Sequence, residues 1–327
     1  MVIKILFSFS IITFGLCTGY LGQLLLVSNR MQFTGKQVFL LRRLLQRVAL
    51  LILYPVTIIG AIWVIQIDNA KIGALPLFGP LAIILGGSMA LVAARLLKLG
   101  REKAGSLFVC GAFSNVGDIG GLICYLFLGE MGFALGSLYK IFVEFMYYTV
   151  GFSIAKFFSL ESTEKRSLRT HVKQFARDPF IVVAVLSLII GGFLNYSGIQ
   201  RPAFYETVNS IFIPTVTVLL FISIGLVMQL SRIGEYLKEC VAISLIKFIL
   251  LPVSITSFGI LIGYGSISDG LPLKVLLILS SMPVAFMALI PPSIYNLDLD
   301  LAVSCWFFTT VFLLIELPFL YLLVNLF

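Results

Sequence analysis

Apolar runs long enough to cross a lipid bilayer recur along the whole chain and constrain its fold more than any other feature. The backbone finds no water inside a bilayer, so segments that cross it form helices or closed barrels. A helix needs about 20 apolar residues to span the hydrocarbon core. We therefore expect an all-α integral membrane protein with ten transmembrane helices. Their expected bounds are residues 3–28, 48–66, 73–97, 105–130, 132–158, 179–196, 207–230, 237–264, 272–296 and 300–325.

Composition agrees with a membrane protein and excludes several functions. Of the 327 residues, 60% are hydrophobic and 12% are charged, which is more apolar surface than a soluble domain of this size can bury. The net charge of +8 is typical of basic cytoplasmic loops and does not indicate nucleic-acid binding. The only histidine, His171, lies in a charged segment. We therefore expect no metal site, no cofactor and no enzyme of the serine- or zinc-hydrolase kind.

Basic residues alternate between the links that join the expected helices. The links after the first, third, fifth and seventh helices, with the helix ends beside them, hold 17 of the 23 lysines and arginines. Because basic residues gather on the cytoplasmic side, we expect both termini outside the cell and the loop 159–178 in the cytoplasm. The basic links would also face the head groups of membrane lipids.

The loop 159–178 divides the chain into two halves, 1–158 and 179–327, of five expected helices each. An odd number of helices gives the halves opposite orientations, and such inverted repeats are typical of secondary transporters. The fourth and ninth helices should then correspond.

Both of these corresponding runs carry residues that interrupt a helix. Residues 114–121 of the fourth run read Ser-Asn-Val-Gly-Asp-Ile-Gly-Gly, and the ninth run has Pro283 near its middle. A helix broken inside the membrane frees backbone N–H and C=O groups for a ligand. The alternative is one kinked helix whose glycines allow close packing against a neighbour.

Two motifs in these runs make the chain resemble the auxin efflux carrier family, whose bacterial members include malonate and malate permeases. The motifs are Asn-x-Gly at residues 115–117 and Met-Pro-Val-Ala at residues 282–285, followed by Tyr295. The resemblance implies a fold similar to sodium/proton antiporters and bile-acid symporters. It implies a scaffold of helices one, two, six and seven, and a mobile core of helices three to five and eight to ten. It also implies elevator-type transport of a small mono- or dicarboxylate across the cell (inner) membrane, and a homodimer through the scaffold.

The chain departs from the family pattern near both motifs. Ser114 and Leu122 stand where prolines are common, Phe286 and Met287 stand where an asparagine is common, and Asp118 is unexpected. These differences leave the substrate and the coupling ion open. A bile-acid-symporter-like protein, a cation/proton antiporter and a receptor or enzyme without transport remain as alternatives.

Candidate site residues follow from the motifs and from the cost of placing ionisable groups in a membrane. The substrate-binding candidates are Asn115, Val116, Gly117, Pro283, Val284 and Lys247. The candidates for coupling to a proton, with membrane potential alone as the other driving force, are Asp118, Lys140, Glu144 and Glu316. Two alternatives stay open: Lys140 and Glu144 could form an ion pair on one helix near the membrane surface, and Lys247 could snorkel.

Overall fold

The computed structural model describes residues 2–27, 35–65, 70–159, 179–226 and 233–326. Within these residues the chain is helical, and the pairing outside helices is one antiparallel bridge between Ser114 and Val284. Nearly all of the predicted cytoplasmic loop 159–178 lies outside the described residues.

The first half contains helices α1 to α8. They are α1 Val2–Val27, α2 Gly35–Val48, α3 Tyr54–Trp63, α4 Leu75–Leu96, α5 Arg101–Ala112, α6 Asp118–Lys140, α7 Val143–Met146 and α8 Phe152–Phe158. The second half contains α9 Pro179–Tyr196, α10 Phe204–Gly225, α11 Leu237–Leu245, α12 Leu251–Ile262, α13 Leu271–Ser280, α14 Ile290–Ile294 and α15 Leu299–Val324. Short 3-10 helices lie at Ala70–Ala74, Ile233–Tyr236, Tyr264–Ser266, Ser268–Gly270 and Phe286–Leu289.

Three pairs of helices are joined without a break by π-helical turns. The turn Ala49–Leu53 joins α2 to α3, Tyr147–Gly151 joins α7 to α8, and Ile246–Leu250 joins α11 to α12. Such turns widen a helix locally and are frequent at functional sites. Two of them carry side chains of the candidate site described below.

Six helical stretches among the described residues are long and apolar enough to cross a membrane. They are Leu40–Trp63, Ala70–Leu96, Asp118–Phe158, Phe204–Gly225, Gly234–Ile262 and Leu299–Val324. The apolar helices Ser10–Leu25 and Val182–Tyr196 are shorter. These helices fit an integral membrane protein, whereas the expected number of ten spans stays a prediction.

A glycine divides α6 within its length. Gly129 has φ 74° and ψ −163°, a conformation that is essentially restricted to glycine because it has no Cβ. Gly129 lies one residue before the predicted boundary between the fourth and fifth apolar runs, at residues 130–132. It lets the chain change direction between two helical stretches.

The chain forms two compact units. Unit 1 consists of Met1–Gln66, Gly121–Ser137 and Asp178–Gln229, and unit 2 consists of Ile67–Gly120, Leu138–Arg177 and Leu230–Phe327. The middle of α6 therefore belongs to unit 1, while both of its ends belong to unit 2.

Small residues let helices approach closely in unit 1. A Cβ on Gly225 of α10 would lie 2.6 Å from the Leu16 carbonyl oxygen of α1, so only a glycine fits this helix contact.

The middle of α6 is held by an ion pair between Glu130 and Arg201 at 2.5 Å. Arg201 also donates to the Gly60 carbonyl at 2.9 Å, which connects α6 to α3.

Candidate functional site

Unit 2 contains two interrupted helices whose breaks pair with each other. Helix α5 ends at Ala112 and α6 begins at Asp118, while α13 ends at Ser280 and the next helical turn begins at Phe286. The Asn115 N–H donates to the Pro283 carbonyl at 2.9 Å, and the Ala285 N–H donates to the Phe113 carbonyl at 3.0 Å. Five residues lie outside the helices in each run, so a single kinked helix does not describe either one.

Side chains from neighbouring helices pair with further backbone groups of the interruptions. The Tyr147 hydroxyl accepts from the Ser114 N–H at 3.0 Å and donates to the Ser114 carbonyl at 2.8 Å. The Val284 N–H donates to Thr309 Oγ1 at 3.2 Å. The ring of Tyr147 stacks on Phe113, with the ring centroids 4.1 Å apart. These contacts hold both interruptions in place.

Tyr147 and Thr309 were not among the residues predicted from the sequence. Both lie in apolar helices where a hydroxyl side chain is common, and they contact the interruptions across 33 and 25 residues of chain. The π-helical turn that begins at Tyr147 has no clear sequence pattern. Ser114 was noted only as a departure from the family.

Asn115 caps the first turn of α6. Its side-chain oxygen accepts from the N–H groups of Asp118 at 3.2 Å and Ile119 at 3.3 Å, as asparagine does at helix N-termini. Two N–H donors converge on this atom, which identifies it as the oxygen of the carboxamide. Among the described residues, neither the Asn115 amide nitrogen nor the Gly117 N–H has a hydrogen-bond partner. These two donors remain for a ligand, and an acceptor such as a carboxylate suits them.

Lys247 lies in the π-helical turn Ile246–Leu250 and contacts the C-terminal end of α5. Its side chain is 0% exposed, and its ammonium donates to the Gly111 carbonyl and to Ser114 Oγ, both at 2.7 Å. The last carbonyl groups of a helix have no partner within the helix, and this amine supplies a donor to one of them. Lys247 does not snorkel, and two of its three N–H groups are used to hold the interruption.

A second lysine lies at the other side of the interruption. The Lys140 ammonium is 3.6 Å from Glu144 Oε1, and it would lie 2.5 Å from a Cβ placed on Gly117. Helix α6 ends at Lys140 and α7 begins at Val143. Two residues of turn therefore lie between these helices, and Lys140 and Glu144 form the ion pair that was one of the alternatives. Asp118, the first residue of α6, lies within electrostatic range of both.

The remaining candidates fall into two groups. Val116 and Val284 are buried, at 6% and 0% exposure, and belong to the paired interruptions. Glu316 follows Thr309 by seven residues on α15, so it lies about 10 Å further along the helix axis. Its buried Oε2 has no hydrogen-bond partner among the described residues, and it is separate from the paired interruptions.

Adjacent threonines on α15 allow a matched test of the hydrogen bond between the Val284 N–H and Thr309. Thr309 bonds the Val284 N–H as well as the Cys305 carbonyl, whereas Thr310 donates only to the Trp306 carbonyl of its own helix. Thr309→Val should destabilise the protein by about 1–3 kcal/mol because it leaves a buried N–H unpaired. Thr310→Val should be close to neutral. Thermal unfolding of the detergent-solubilised variants measures the difference, and equal melting temperatures would contradict the assigned contact.

No group of His, Cys, Asp and Glu in the described ranges is arranged to hold a metal ion. The cysteines are free, and Cys110, Cys124, Cys240 and Cys305 are buried.

Comparison with known proteins finds similarity to a protein that is named as a transporter. No family model matches the chain. A protein of Methanocaldococcus jannaschii named an uncharacterized transporter is 28% identical over 247 residues, which cover 72% of this chain and 71% of that protein. The length and apolar character of the helices fit an integral membrane protein.

Proposed function

We propose that the protein is a secondary transporter or permease that carries a small organic anion, a mono- or dicarboxylate, across the cell (inner) membrane. The observation that carries this proposal is the donor set at the interruption. The Asn115 amide nitrogen and the Gly117 N–H have no partner among the described residues, and they lie at the N-terminal end of α6. The positive end of a helix dipole and unpaired N–H groups together favour an anion.

The proposed architecture is that of ten spans in two inverted repeats. The interruptions at residues 113–117 and 281–285 lie in the fourth and ninth apolar runs, one in each half. Interrupted helices at corresponding positions are the best sequence indication of a transport site. In this arrangement both termini lie outside the cell and the loop 159–178 lies in the cytoplasm.

An elevator-type mechanism is part of the proposal. Unit 1 holds the first, second, sixth and seventh apolar runs, with Gly121–Ser137, and unit 2 holds most of the rest. This division supports the scaffold and mobile core that the resemblance to auxin efflux carriers implies. A homodimer through the scaffold is the assembly that the same resemblance implies.

Uptake into proteoliposomes tests the proposed function. The purified protein is reconstituted, and uptake of radiolabelled pyruvate, lactate, malonate and succinate is measured against protein-free liposomes. The proposal expects saturable uptake of at least one of these carboxylates. Uptake of radioactive sodium in exchange for protons, with no carboxylate carried, would instead identify a cation/proton antiporter.

A further inference from the structure

Three charged side chains gather beside Gly117. Lys140 pairs with Glu144 at 3.6 Å, and the two side chains are 23% and 28% exposed. Asp118 interacts electrostatically with both of them. The Lys140 ammonium also lies against the backbone of Gly117, next to the unpaired donors of the interruption.

Lys140 is better placed than Lys247 to meet an anion. Lys247 is fully buried and directs two N–H groups at protein oxygens, so a ligand cannot reach it without breaking the end of α5. Lys140 is partly exposed, and its pairing distance of 3.6 Å to Glu144 is longer than a strong charge-assisted hydrogen bond of about 2.8 Å. An incoming carboxylate can therefore compete with Glu144 for the same ammonium.

The total charge of these three side chains links binding of the anion to uptake of a proton. Lys140, Glu144 and Asp118 carry one positive and two negative charges when all three are ionised. A bound carboxylate would add a third negative charge around one ammonium, in surroundings where charges are poorly screened. Like charges at such close range favour protonation of one of the acids.

We propose that Lys140 binds the carboxylate of the substrate, and that Glu144 or Asp118, displaced from Lys140, takes up one proton for each anion bound. This inference rests on the proposed function. The proton comes from the solution. It is bound by Glu144 or Asp118 and crosses the membrane together with the anion. A monocarboxylate would then be carried without net charge movement.

Besides Lys247, whose ammonium is held by Gly111 and Ser114, the helices packed against this cluster place no further cation beside it in the described part of the chain. Tyr139 and Tyr147 lie close by, and Tyr147 is bonded to Ser114. Helix α4 packs on α7 through Gly79, and its one charged residue, Arg95, lies 16 residues later, about 24 Å along the axis. The charged residues of α5, at positions 101–103, lie at the end of that helix away from the interruption.

The test uses liposomes that contain a trapped pH dye and the full-length protein. The substrate is whichever of pyruvate, lactate, malonate and succinate the wild type carries fastest. Wild-type uptake should acidify the lumen and should accelerate when the outside is more acidic. Lys140→Gln should reduce uptake by about tenfold or more, because the charged hydrogen bond to the substrate is lost. Lys238→Gln, at an exposed position of α11, is the matched control and should behave like the wild type.

The two acids are tested separately. At least one of Glu144→Gln and Asp118→Asn should still bind and carry the anion but no longer acidify the lumen. Lys140→Arg keeps the charge and should retain more uptake than Lys140→Gln; it also serves if Lys140→Gln does not fold.

Two results would overturn the inference while leaving the proposed function intact. One is a wild-type KM for the substrate in whichever of Lys140→Gln and Lys140→Arg fold. The other is luminal acidification in both Glu144→Gln and Asp118→Asn, with the same number of protons for each anion as in the wild type. A wild type that carries none of the four carboxylates would instead remove the proposed function itself.

Discussion

Asn115→Asp should abolish most carboxylate uptake while the protein folds like the wild type. The substitution keeps the side-chain oxygen that caps α6, where the N–H groups of Asp118 and Ile119 donate. It replaces the amide nitrogen, which is one of the two donors left for a ligand, with a second oxygen. Two N–H donors and the positive end of the helix favour the ionised form of the new carboxyl group.

The loss should be large because two effects add. A hydrogen bond to a charged ligand contributes on the order of 1.5–3 kcal/mol, and repulsion between two carboxylates adds to this loss. We expect the apparent affinity for the substrate to fall by about tenfold to a hundredfold. Uptake at neutral pH measures this, and the elution profile and melting temperature of the solubilised variant report on folding.

A matched substitution separates the site from a general effect of charge. Asn325→Asp makes the same chemical change at the C-terminal end of α15, where the side chain is exposed and donates to the Tyr321 carbonyl. It should leave uptake unchanged. Equal uptake by Asn115→Asp and Asn325→Asp would remove Asn115 from the site.

Gly86→Ala should cause the largest loss of stability. A Cβ at Gly86 of α4 would clash with the carbonyl oxygen of Gly111 on α5. The obstacle is backbone, so the two helices would have to separate, and overpacking of this kind costs about 1–3 kcal/mol or more. Because the same Gly111 carbonyl accepts from Lys247 at 2.7 Å, the separation would also disturb the interruption. We expect a low yield of folded protein and a lower melting temperature.

Gly192→Ala in α9 is the control for this prediction. Nothing lies within 4 Å of a Cβ added there, and alanine is favoured over glycine in a helix by about 0.5–1 kcal/mol. The same substitution should therefore be neutral or stabilising. A Gly86→Ala variant as stable as Gly192→Ala would contradict the close contact of α4 with α5.

The interruptions could be predicted from the sequence because the residues that break a helix have recognisable types. Asn115, Asp118 and three glycines within residues 114–121, and Pro283 in the other half, conflict with a continuous lipid-facing helix. The places where the helices end agree with this prediction. The capping by Asn115 agrees with the preference of asparagine for helix N-termini.

The partners of the interruptions could not be predicted in the same way. Lys247 was predicted as a substrate-binding residue, but sequence does not indicate which carbonyl group a buried ammonium meets. Tyr147 and Thr309 bond to backbone groups far away along the chain, and a hydroxyl in an apolar helix more often bonds its own helix, as Thr310 does. These contacts depend on how distant segments of the chain pack together. The periodicity of the sequence carries no information on that packing.

The most direct test of an anion site at the interruption is an equilibrium binding titration of the solubilised protein with the carboxylate that it carries. The account predicts saturable binding by the wild type and by Asn325→Asp. It predicts binding weakened by about tenfold or more in Asn115→Asp, because the donor to the anion is gone. Wild-type affinity in a folded Asn115→Asp variant would contradict the account and would place the anion elsewhere in the protein.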